Sequence, residues 1–423
     1  MPAADRHTSG PRAWCAAGGT QTDGPVAVLD VDLASPAPAI DGVRDDGTRV
    51  TRAFVLVRSG VVPLRAMVVG VPEQGLTPAE VQAYARAGGM PPIESPEPAP
   101  GPPLTVVICT RDRPAGLARA LESVRAQSCA PARVLVVDSG AAGAATQRVA
   151  RDADADYLPV PEPGLARARN AAVRHCPGVA IAWLDDDEVA DRHWVEQATR
   201  ALAERADADV ICGAVVPAEL ETPAQVWFEA LGGMVGGRGF TEVSFGPATR
   251  ASFHPLYPLP PVGAGANMVT RPGVIERLGG FDPALGAGSP AQGGEDTLLF
   301  ARVLRAGGTV LYRPQLLTRH FHRTDVAGLR RQLRGYGTGL TAMYLALLRQ
   351  EPAAVWSLLA LIPRALRHLA GAGARIEPAV VGLSDEVPAH LRRALRSGMA
   401  SGPRAYVRGR RALARASAVD RPS

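Results

Sequence analysis

Residues 179–188 have the sequence VAIAWLDDDE, an apolar run that ends abruptly in four carboxylates. An unbroken apolar run of this length is typical of a β-strand that is covered on both faces, as in a parallel sheet. Two similar runs lie upstream, at residues 104–109 and 133–137, and apolar residues at helical spacing lie between them. Strands that alternate with helices predict an α/β domain with a mostly parallel sheet and helices on both faces.

The α/β pattern covers residues 104–323, and the segments on either side have a different character. Residues 1–90 contain the patterns of a strand, a hairpin and a capped helix, which predict a small accessory α+β domain. A Pro-rich stretch at residues 91–103 is typical of a linker. Residues 324–423 are rich in arginine and are predicted to form a helical C-terminal extension.

The composition excludes several kinds of chemistry. All 46 basic residues are arginine, so a Walker-type phosphate loop and Schiff-base or pyridoxal chemistry, which need a lysine, are excluded. The five cysteines never occur as C-x-x-C, which argues against a disulfide framework or a zinc knuckle. The sequence shows neither a signal-peptide pattern nor an apolar run long enough to cross a bilayer, so a cytoplasmic location is expected.

The net charge of +5 is unevenly distributed. Residues 319–423 contain 18 arginines and 6 acids, whereas residues 1–318 contain 28 arginines and 35 acids. A basic helical segment is typical of contact with an anionic membrane surface, and equally of helical faces that are simply solvated. The segment has few aromatic residues and no recognised nucleic-acid motif, so no nucleic-acid partner is expected.

The carboxylates that follow residue 184 indicate a metal site. Asp185 and Asp187 at a strand end would bring like charges within a few ångströms, and a divalent cation relieves that repulsion. Carboxylate oxygens favour Mg²⁺ or Mn²⁺ over zinc. The alternative is an acidic loop that caps the next helix, starting near Asp191, because short acidic motifs are common.

Other polar residues follow the same strands. Thr110, Arg111 and Asp112 come after the first strand and Asp138 after the second, and ligands of open α/β sheets bind at these carboxyl ends. Alone, the Asp-Ser-Gly stretch at residue 138 indicates only a turn. Arg169 lies near the start of a predicted helix, where a guanidinium can bind a phosphate or simply face solvent.

Two later motifs are candidates for catalysis and metal binding. Glu295 and Asp296 open a predicted helix, where acids are favourable for electrostatic reasons alone. The functional interpretation makes Asp296 a general base. His320 and His322 follow a strand-like stretch at residues 309–312, and either imidazole can complete a metal shell, although such pairs are more often structural.

In their order and spacing, these motifs resemble the family 2 glycosyltransferases, which have the GT-A fold. The resemblance covers residues 104–323 and includes TRDR at 110, DSG at 138, GLARARN at 164, DDDE at 185, GGFD at 279, ED at 295 and HFH at 320. It implies a donor site formed by Thr110, Arg111, Asp112, Asp138, Arg169, Asn170 and Asp186. It further implies a DXD-type metal site of Asp185 and Asp187 with His320 or His322, and Asp296 as the catalytic base beside Glu295.

The resemblance implies an inverting, metal-dependent enzyme, using Mn²⁺ or Mg²⁺, that moves one sugar from a nucleotide-diphosphate sugar to a hydroxyl acceptor. The acceptor would be a glycan, a lipid-linked glycan or a metabolite, as in polysaccharide biosynthesis, with the basic extension at the inner face of the cell membrane. The Gln-x-x-Arg-Trp motif of processive polymerases is absent, which favours single-sugar transfer. Two alternatives remain: an inactive nucleotide-sugar-binding homologue, and a sugar nucleotidyltransferase, which would usually have a Gly-rich loop after the first strand.

Overall fold

The structure is a computed structural model that describes residues 24–87, 101–140, 144–234, 238–256, 260–370, 383 and 387–419. Most of the predicted linker, residues 91–100, lies outside the described residues. The predicted strand, hairpin and capped helix of the N-terminal segment are present, as β1 (Val26–Asp32), β2 (Arg52–Ser59), β3 (Val62–Gly70) and α1 (Pro78–Arg86). β1 pairs parallel with β2, and β2 pairs antiparallel with β3.

A second sheet of nine strands forms the centre of the structure. Its strands are β4 (Leu104–Thr110), β5 (Arg133–Asp138), β6 (Asp156–Pro159), β7 (Ala180–Asp185), β8 (Glu188–Ala190), β9 (Val210–Pro217), β10 (Val243–Phe245), β11 (Asn267–Thr270) and β12 (Val310–His320). The order is β10-β12-β9-β11-β7-β4-β5-β6, and β8 pairs with β12. Six strands run in one direction, and β8, β10 and β11 run in the other. The predicted mostly parallel sheet is confirmed.

Helices cover both faces of this sheet, which explains the continuous apolar runs. They are α2 (Pro114–Arg125), α3 (Ala144–Asp152), α4 (Leu165–His175), α5 (Trp194–Glu204), α6 (Pro223–Ala230), α7 (Val274–Arg277) and α8 (Glu295–Arg305). In β4, Val107 packs in the cluster that contains residues of α4 and α8. Its neighbours Val106 and Ile108 pack in the cluster formed with α2 and α5. Each such buried side chain contributes roughly 1.5–3 kcal/mol relative to exposure.

The register of the sheet brings the carboxyl ends of three strands to one edge. Thr110 pairs with Asp138 across β4 and β5, and Cys109 pairs with Asp185 across β4 and β7. The polar residues that follow these strands therefore share one edge, as the sequence predicted.

Two local expectations were wrong. The chain forms β8 immediately after the aspartates, so the following helix, α5, begins at Trp194 rather than near Asp191. The strand predicted at residues 309–312 continues as β12 to His320, past an irregularity in register between Tyr312 and Leu317. At this irregularity, Arg313 and Pro314 interrupt the apolar pattern, so the sequence does not show that the strand continues.

The C-terminal extension is helical, with α9 (Val326–Gln350), α10 (Ala354–Ala370) and α11 (Ala389–Val419). Glycines let α9 and α11 approach closely. A Cβ at Gly337 would lie 2.0 Å from the carbonyl oxygen of Leu395, and one at Gly398 would lie 2.1 Å from that of Arg334. Among the described residues, none of the helices combines the length and apolar character that crossing a membrane requires.

Candidate active site at the carboxyl ends of the strands

The middle aspartate of the acidic turn faces the protein interior. Asp186 is buried and accepts a hydrogen bond of 2.7 Å from the hydroxyl of Thr110 and one of 3.0 Å from the guanidinium of Arg113. These bonds fasten the turn after β7 to the end of β4. Asp186 and Thr110, both predicted to lie in the donor site, therefore form part of its wall.

The outer aspartates have contrasting surroundings. Asp187 accepts hydrogen bonds from Arg113 at 2.9 Å and Arg323 at 3.3 Å. Burial alone would raise the pKa of Asp187, but the imidazole of His320 and these two guanidinium groups outweigh it and hold that pKa well below its usual range. Burial raises the pKa of Asp185 to about 6, although the charge of Arg169 opposes the shift. These surroundings thus favour the ionised form of Asp187.

The geometry of the acidic turn fits a divalent cation that is shared with a substrate. The Oδ1 of Asp187 lies 3.5 Å from the Nε2 of His320. In the described part of the chain, no three His, Cys, Asp or Glu side chains form a closed metal-binding group. Mg²⁺ commonly binds through one or two carboxylates together with substrate phosphates and waters, and Mn²⁺ prefers the same oxygen ligands. The donor set therefore fits such an ion without forming a complete cage.

The two histidines occupy different places. His320 faces Asp187, whereas His322 lies behind it, with its Nδ1 2.6 Å from the Nδ1 of His320 and its Nε2 2.7 Å from Oε1 of Glu229. Burial lowers the pKa of His322. Burial also disfavours the charged form of His320, but the neighbouring Asp187 outweighs it and raises that pKa. The sequence analysis missed Glu229, which lies on α6 some ninety residues before the histidines.

Arg169 is a buried counter-charge that joins the two acidic motifs. It is 1% exposed and donates to Oε1 of Glu295 at 3.0 Å, to the carbonyl of Gly265 at 2.8 Å and to Oδ1 of Asp185 at 3.4 Å. Burial and the charge of Asp296 raise the pKa of Glu295 to about 7, while Arg169 opposes the shift. One guanidinium thus contacts both motifs, which places the acidic turn and the start of α8 in one site.

Asp296 lies in the first turn of α8, just after a left-handed Gly294 with φ of 89°. Its Oδ2 accepts a hydrogen bond of 2.9 Å from the N–H of Gly265, and its Oδ1 accepts one of 2.6 Å from the N–H of Thr297. The free N–H groups and the dipole at a helix N-terminus favour a carboxylate. A cavity of about 120 Å³ lies beside it, lined by Arg238, Pro255, Pro260, Val262, Gly263, Thr297, Phe300, Ala301 and Leu304.

The predicted nucleotide pocket has an exposed side and a buried side. Arg111 is half exposed and forms a 3.6 Å ion pair with Asp112, whose φ of 55° is left-handed. Asp138 is 2% exposed, and its two oxygens accept hydrogen bonds from the N–H of Gly140 and the hydroxyl of Tyr157, both at 2.9 Å. Arg111 and Asp112 are therefore accessible to a ligand, whereas Asp138 is held inside the site.

Asn170 fastens the turn that contains the GGFD sequence. Its amide nitrogen donates to the carbonyl of Phe281 at 2.8 Å, and its amide oxygen accepts from the N–H of the same residue at 2.8 Å. Both ends of the side chain are thus engaged by the protein. Asn170, like Arg169, lies in the wall of the site.

Comparison with known proteins identifies the class of this domain. Residues 105–278 match the family model described as glycosyl transferase family 2. The match lies within residues 104–323, where the motifs resemble this family, and it confirms that resemblance. The mostly parallel sheet with helices on both faces agrees with the fold that the resemblance implied.

Two curated relatives are similar to this chain over part of their length. The pre-mycofactocin glycosyltransferases of two Mycobacterium tuberculosis strains are 31% identical to this chain over 240 residues, which is 55% of this chain and 46% of each relative. The chain thus spans about half the length of the curated relatives that it matches.

Solved structures with a similar arrangement include two transferases. The mannosyltransferase PcManGT from Pyrobaculum calidifontis, in complex with GDP-Man and Mn²⁺, has a TM-score of 0.42 and 18% identity, over 81% of this chain and 84% of that chain. Glucosyl-3-phosphoglycerate synthase from Mycobacterium tuberculosis, in complex with phosphoglyceric acid, has a TM-score of 0.38 and 15% identity, over 59% of this chain and 80% of that chain.

Proposed function

We propose that this chain is an inverting glycosyltransferase that moves one sugar from a nucleotide-diphosphate sugar to a hydroxyl group of its acceptor. The observation that carries the proposal is the bridge formed by Arg169. This side chain contacts Asp185 on the donor side and Glu295 on the side of the general base. A donor diphosphate at the acidic turn and an acceptor at Asp296 would therefore meet within one site.

On the donor side, the proposal assigns cation binding to Asp185, Asp187 and His320. Bound there, Mn²⁺ or Mg²⁺ would act as a Lewis acid that stabilises negative charge on the leaving diphosphate. Asp186 and Thr110 hold the turn in place from below. Arg111 and Asp112 at the open edge are proposed to contact the nucleotide, and Asp138 to lie beneath its base.

On the acceptor side, Asp296 is proposed to be the general base. Its carboxylate takes the proton of the acceptor hydroxyl as that oxygen forms a bond to the anomeric carbon. The bond from this carbon to the diphosphate oxygen breaks at the same time, and the leaving group keeps the electron pair. Attack from the face opposite the leaving group inverts the anomeric configuration. The N–H groups of Gly265 and Thr297 hold the carboxylate in position.

The proposed acceptor is a glycan, a lipid-linked glycan or a smaller hydroxyl-bearing metabolite. It would approach through the cavity beside Asp296, where the side of α8 that carries Thr297 faces the segment around Gly263. This cavity holds only a small part of an acceptor, so the rest of a glycan or lipid chain would extend away from it.

Calorimetric titration tests the donor assignment first. UDP, GDP and dTDP are each titrated with and without Mn²⁺, and tight binding of one nucleotide that requires the metal is expected. The corresponding nucleotide sugar is then incubated with an acceptor panel. Nucleotide binding without turnover would favour an inactive homologue, and release of pyrophosphate from a nucleoside triphosphate and a sugar phosphate would favour a nucleotidyltransferase.

We further propose that the C-terminal helices contact an anionic membrane surface at its cytoplasmic face. On α10, Val355, Trp356 and Leu359 are 36%, 71% and 48% exposed, and they lie on one side of the helix. The helix α11 carries eight arginines and no acid. Leu361 of α10 and Tyr406 of α11 belong to one hydrophobic cluster, so both helices pack on the same core. Exposed apolar residues together with arginines are typical of helices that lie in the membrane interface.

Flotation with vesicles tests this contact. Association with phosphatidylglycerol–phosphatidylcholine vesicles, but not with pure phosphatidylcholine, is expected, together with its loss in Trp356→Ser/Leu359→Ser. Absence of association with both compositions would remove the proposal. Dimerisation of the wild type that the same double variant abolishes would instead assign the apolar face to a second copy of the chain.

A further inference from the structure

Four side chains form a continuous chain from the acidic turn to α6, and three of them, His320, His322 and Glu229, are buried. It begins with Asp187, whose Oδ1 lies 3.5 Å from Nε2 of His320, and continues through the 2.6 Å contact between the two Nδ1 atoms of His320 and His322. It ends at Glu229, whose Oε1 lies 2.7 Å from Nε2 of His322. The side chains of His322 and Glu229 are each 1% exposed. Water therefore has no access to the contact between them.

These contacts allow one arrangement of protons in which His320 can bind a cation. Its Nε2, which faces Oδ1 of Asp187, must then present a lone pair, so the ring proton of His320 is on Nδ1. The 2.6 Å contact with Nδ1 of His322 is then a hydrogen bond that His322 accepts. The proton of His322 is in turn on Nε2, where Glu229 accepts it. Cation binding at Nε2 of His320 is therefore coupled to the acceptor at Glu229.

We propose that Glu229 and His322 are positioning residues that hold His320 in its metal-binding tautomer. The inference rests on the proposed function, because the cation is the one assigned there to Asp187 and His320. Carboxylate partners of metal-binding histidines commonly fix the ring in this way, and losing such a partner typically costs about 10- to 100-fold in metal affinity. Here the carboxylate acts through a second imidazole rather than directly.

The surroundings of Glu229 favour a fixed orientation. The ring centroid of Phe228 lies 4.6 Å from that of His322, in an edge-on arrangement. On the other side, a Cβ at Gly233 would lie 2.3 Å from one carboxylate oxygen of Glu229 and 2.4 Å from the other. The Oε2 of Glu229 is buried and has no hydrogen-bond partner among the described residues. Among the described residues, the imidazole of His322 is therefore the hydrogen-bond partner of this carboxylate.

The test measures Mn²⁺ affinity rather than turnover. Mn²⁺ is titrated by electron paramagnetic resonance, in the presence of the nucleoside diphosphate selected by calorimetry, into the wild type, Glu229→Leu and Glu229→Gln. We expect Glu229→Leu to weaken Mn²⁺ binding by about 10- to 100-fold. Glu229→Gln should recover most of that loss, because its amide oxygen still accepts the proton of His322. The matched control is Glu221→Gln, which changes an exposed acid just before the same helix.

The outcomes separate this inference from the proposed function. Wild-type Mn²⁺ affinity in a folded Glu229→Leu overturns the positioning role and leaves the metal assignment standing. Absence of Mn²⁺ binding by the wild type with every nucleotide overturns the metal assignment and the inference together. A loss that Glu229→Gln does not recover also contradicts the inference, since the amide keeps the acceptor.

If Glu229→Leu does not fold, a second measurement tests the proposed tautomers of His320 and His322 in the wild type. Two-bond ¹H–¹⁵N correlation spectra of the histidine-labelled wild type, with Mg²⁺ and the nucleotide, distinguish the two ring tautomers. We expect His320 with its proton on Nδ1 and His322 with its proton on Nε2. Assignment of the His320 proton to Nε2 would overturn the proposal.

Discussion

Replacing Gly339 by alanine is expected to displace the proposed catalytic base, Asp296, without changing its side chain. Gly339 lies on the face of α9 that packs against the loop before α8. A Cβ at this position would lie 2.5 Å from the carbonyl carbon of Gly293 and 2.8 Å from its Cα. Ordinary contacts of a Cβ begin at 3.4 Å, so the two backbones must separate by about 0.9 Å. Because Gly293 precedes Asp296 by three residues, the displacement reaches the start of α8.

Two effects follow from that displacement. Overpacking a close backbone contact typically costs about 1–3 kcal/mol of stability. Misplacing a catalytic group by about 1 Å lowers the rate by roughly 100-fold. We therefore expect Gly339→Ala to lower the urea midpoint and to reduce kcat by about 10- to 100-fold. Nucleotide affinity should stay unchanged, because Asp185 and Asp187 lie on the other side of the site.

Two neighbouring glycines supply matched controls. A Cβ at Gly335 would lie 3.2 Å from Oε1 and 3.3 Å from Cβ of Gln292, so a shift of only about 0.2 Å is needed and Gly335→Ala should have a much smaller effect. A Cβ at Gly337 would collide with the Leu395 carbonyl of α11, so Gly337→Ala should destabilise the helix pair and preserve kcat in the folded fraction. Wild-type kcat in folded Gly339→Ala would refute the reasoning. An equal loss of kcat in Gly337→Ala would show that general destabilisation of the helices, rather than displacement of Asp296, lowers the rate.

Three further predictions concern single side chains. Asp296→Asn should bind the nucleotide normally and transfer sugar about 10²- to 10⁴-fold more slowly, measured as product formation; a fully active variant would remove Asp296 as the base. Asn170→Ala should lower the free energy of unfolding in urea by about 1–3 kcal/mol, because it leaves the backbone of Phe281 unpaired; an unchanged midpoint would contradict this. Asp191→Asn should be destabilised at pH 7. Burial raises the pKa of Asp191, but Arg58 and Arg319 outweigh it and lower that pKa below its ordinary value of 3.8. The stabilisation is therefore complete above that value and is lost as the pH falls through the lowered pKa, so the urea midpoints of variant and wild type should converge as the pH falls below 3.8. A constant difference between them would contradict the assignment.

The central strands could be predicted because they are covered on both faces. In β4, successive residues pack into two different hydrophobic clusters, and this arrangement leaves an unbroken apolar run in the sequence. The antiparallel strands β8 and β11 have only three and four residues. Strands this short acquire their conformation from partners that are distant in the sequence, so no local pattern marks them. The continuation of β12 to His320 likewise depends on pairing with distant strands, so it could not be predicted from the local sequence.

Only those residues of the candidate site that directly follow a recognisable strand could be predicted from the sequence. The shared edge of parallel strands brings Thr110, Asp138 and Asp185 together, and that rule needs no tertiary detail. It does not indicate which aspartate faces inward. Asp186 faces inward because its carboxylate accepts hydrogen bonds from the hydroxyl of Thr110 and the guanidinium of Arg113. Arg169, which is predicted to lie near the sugar nucleotide, also donates to Glu295, Gly265 and Asp185, and the sequence does not indicate these contacts.

The C-terminal extension takes part in forming the site, although the family match ends before it begins. The matched residues 105–278 contain the acidic turn, whereas Asp296 and His320 come later in the chain. The loop before Asp296 rests on α9, where a Cβ on Gly294 would lie 2.4 Å from the carbonyl oxygen of Gly339. The opposite side of α9 packs on α11 through Gly337. The contact of α9 with this loop therefore bears on the position of the proposed base, while the donor side is held by the sheet. Changes on the face of α9 that meets the loop should consequently affect transfer more than nucleotide binding, whereas changes where α9 meets α11 should mainly affect stability.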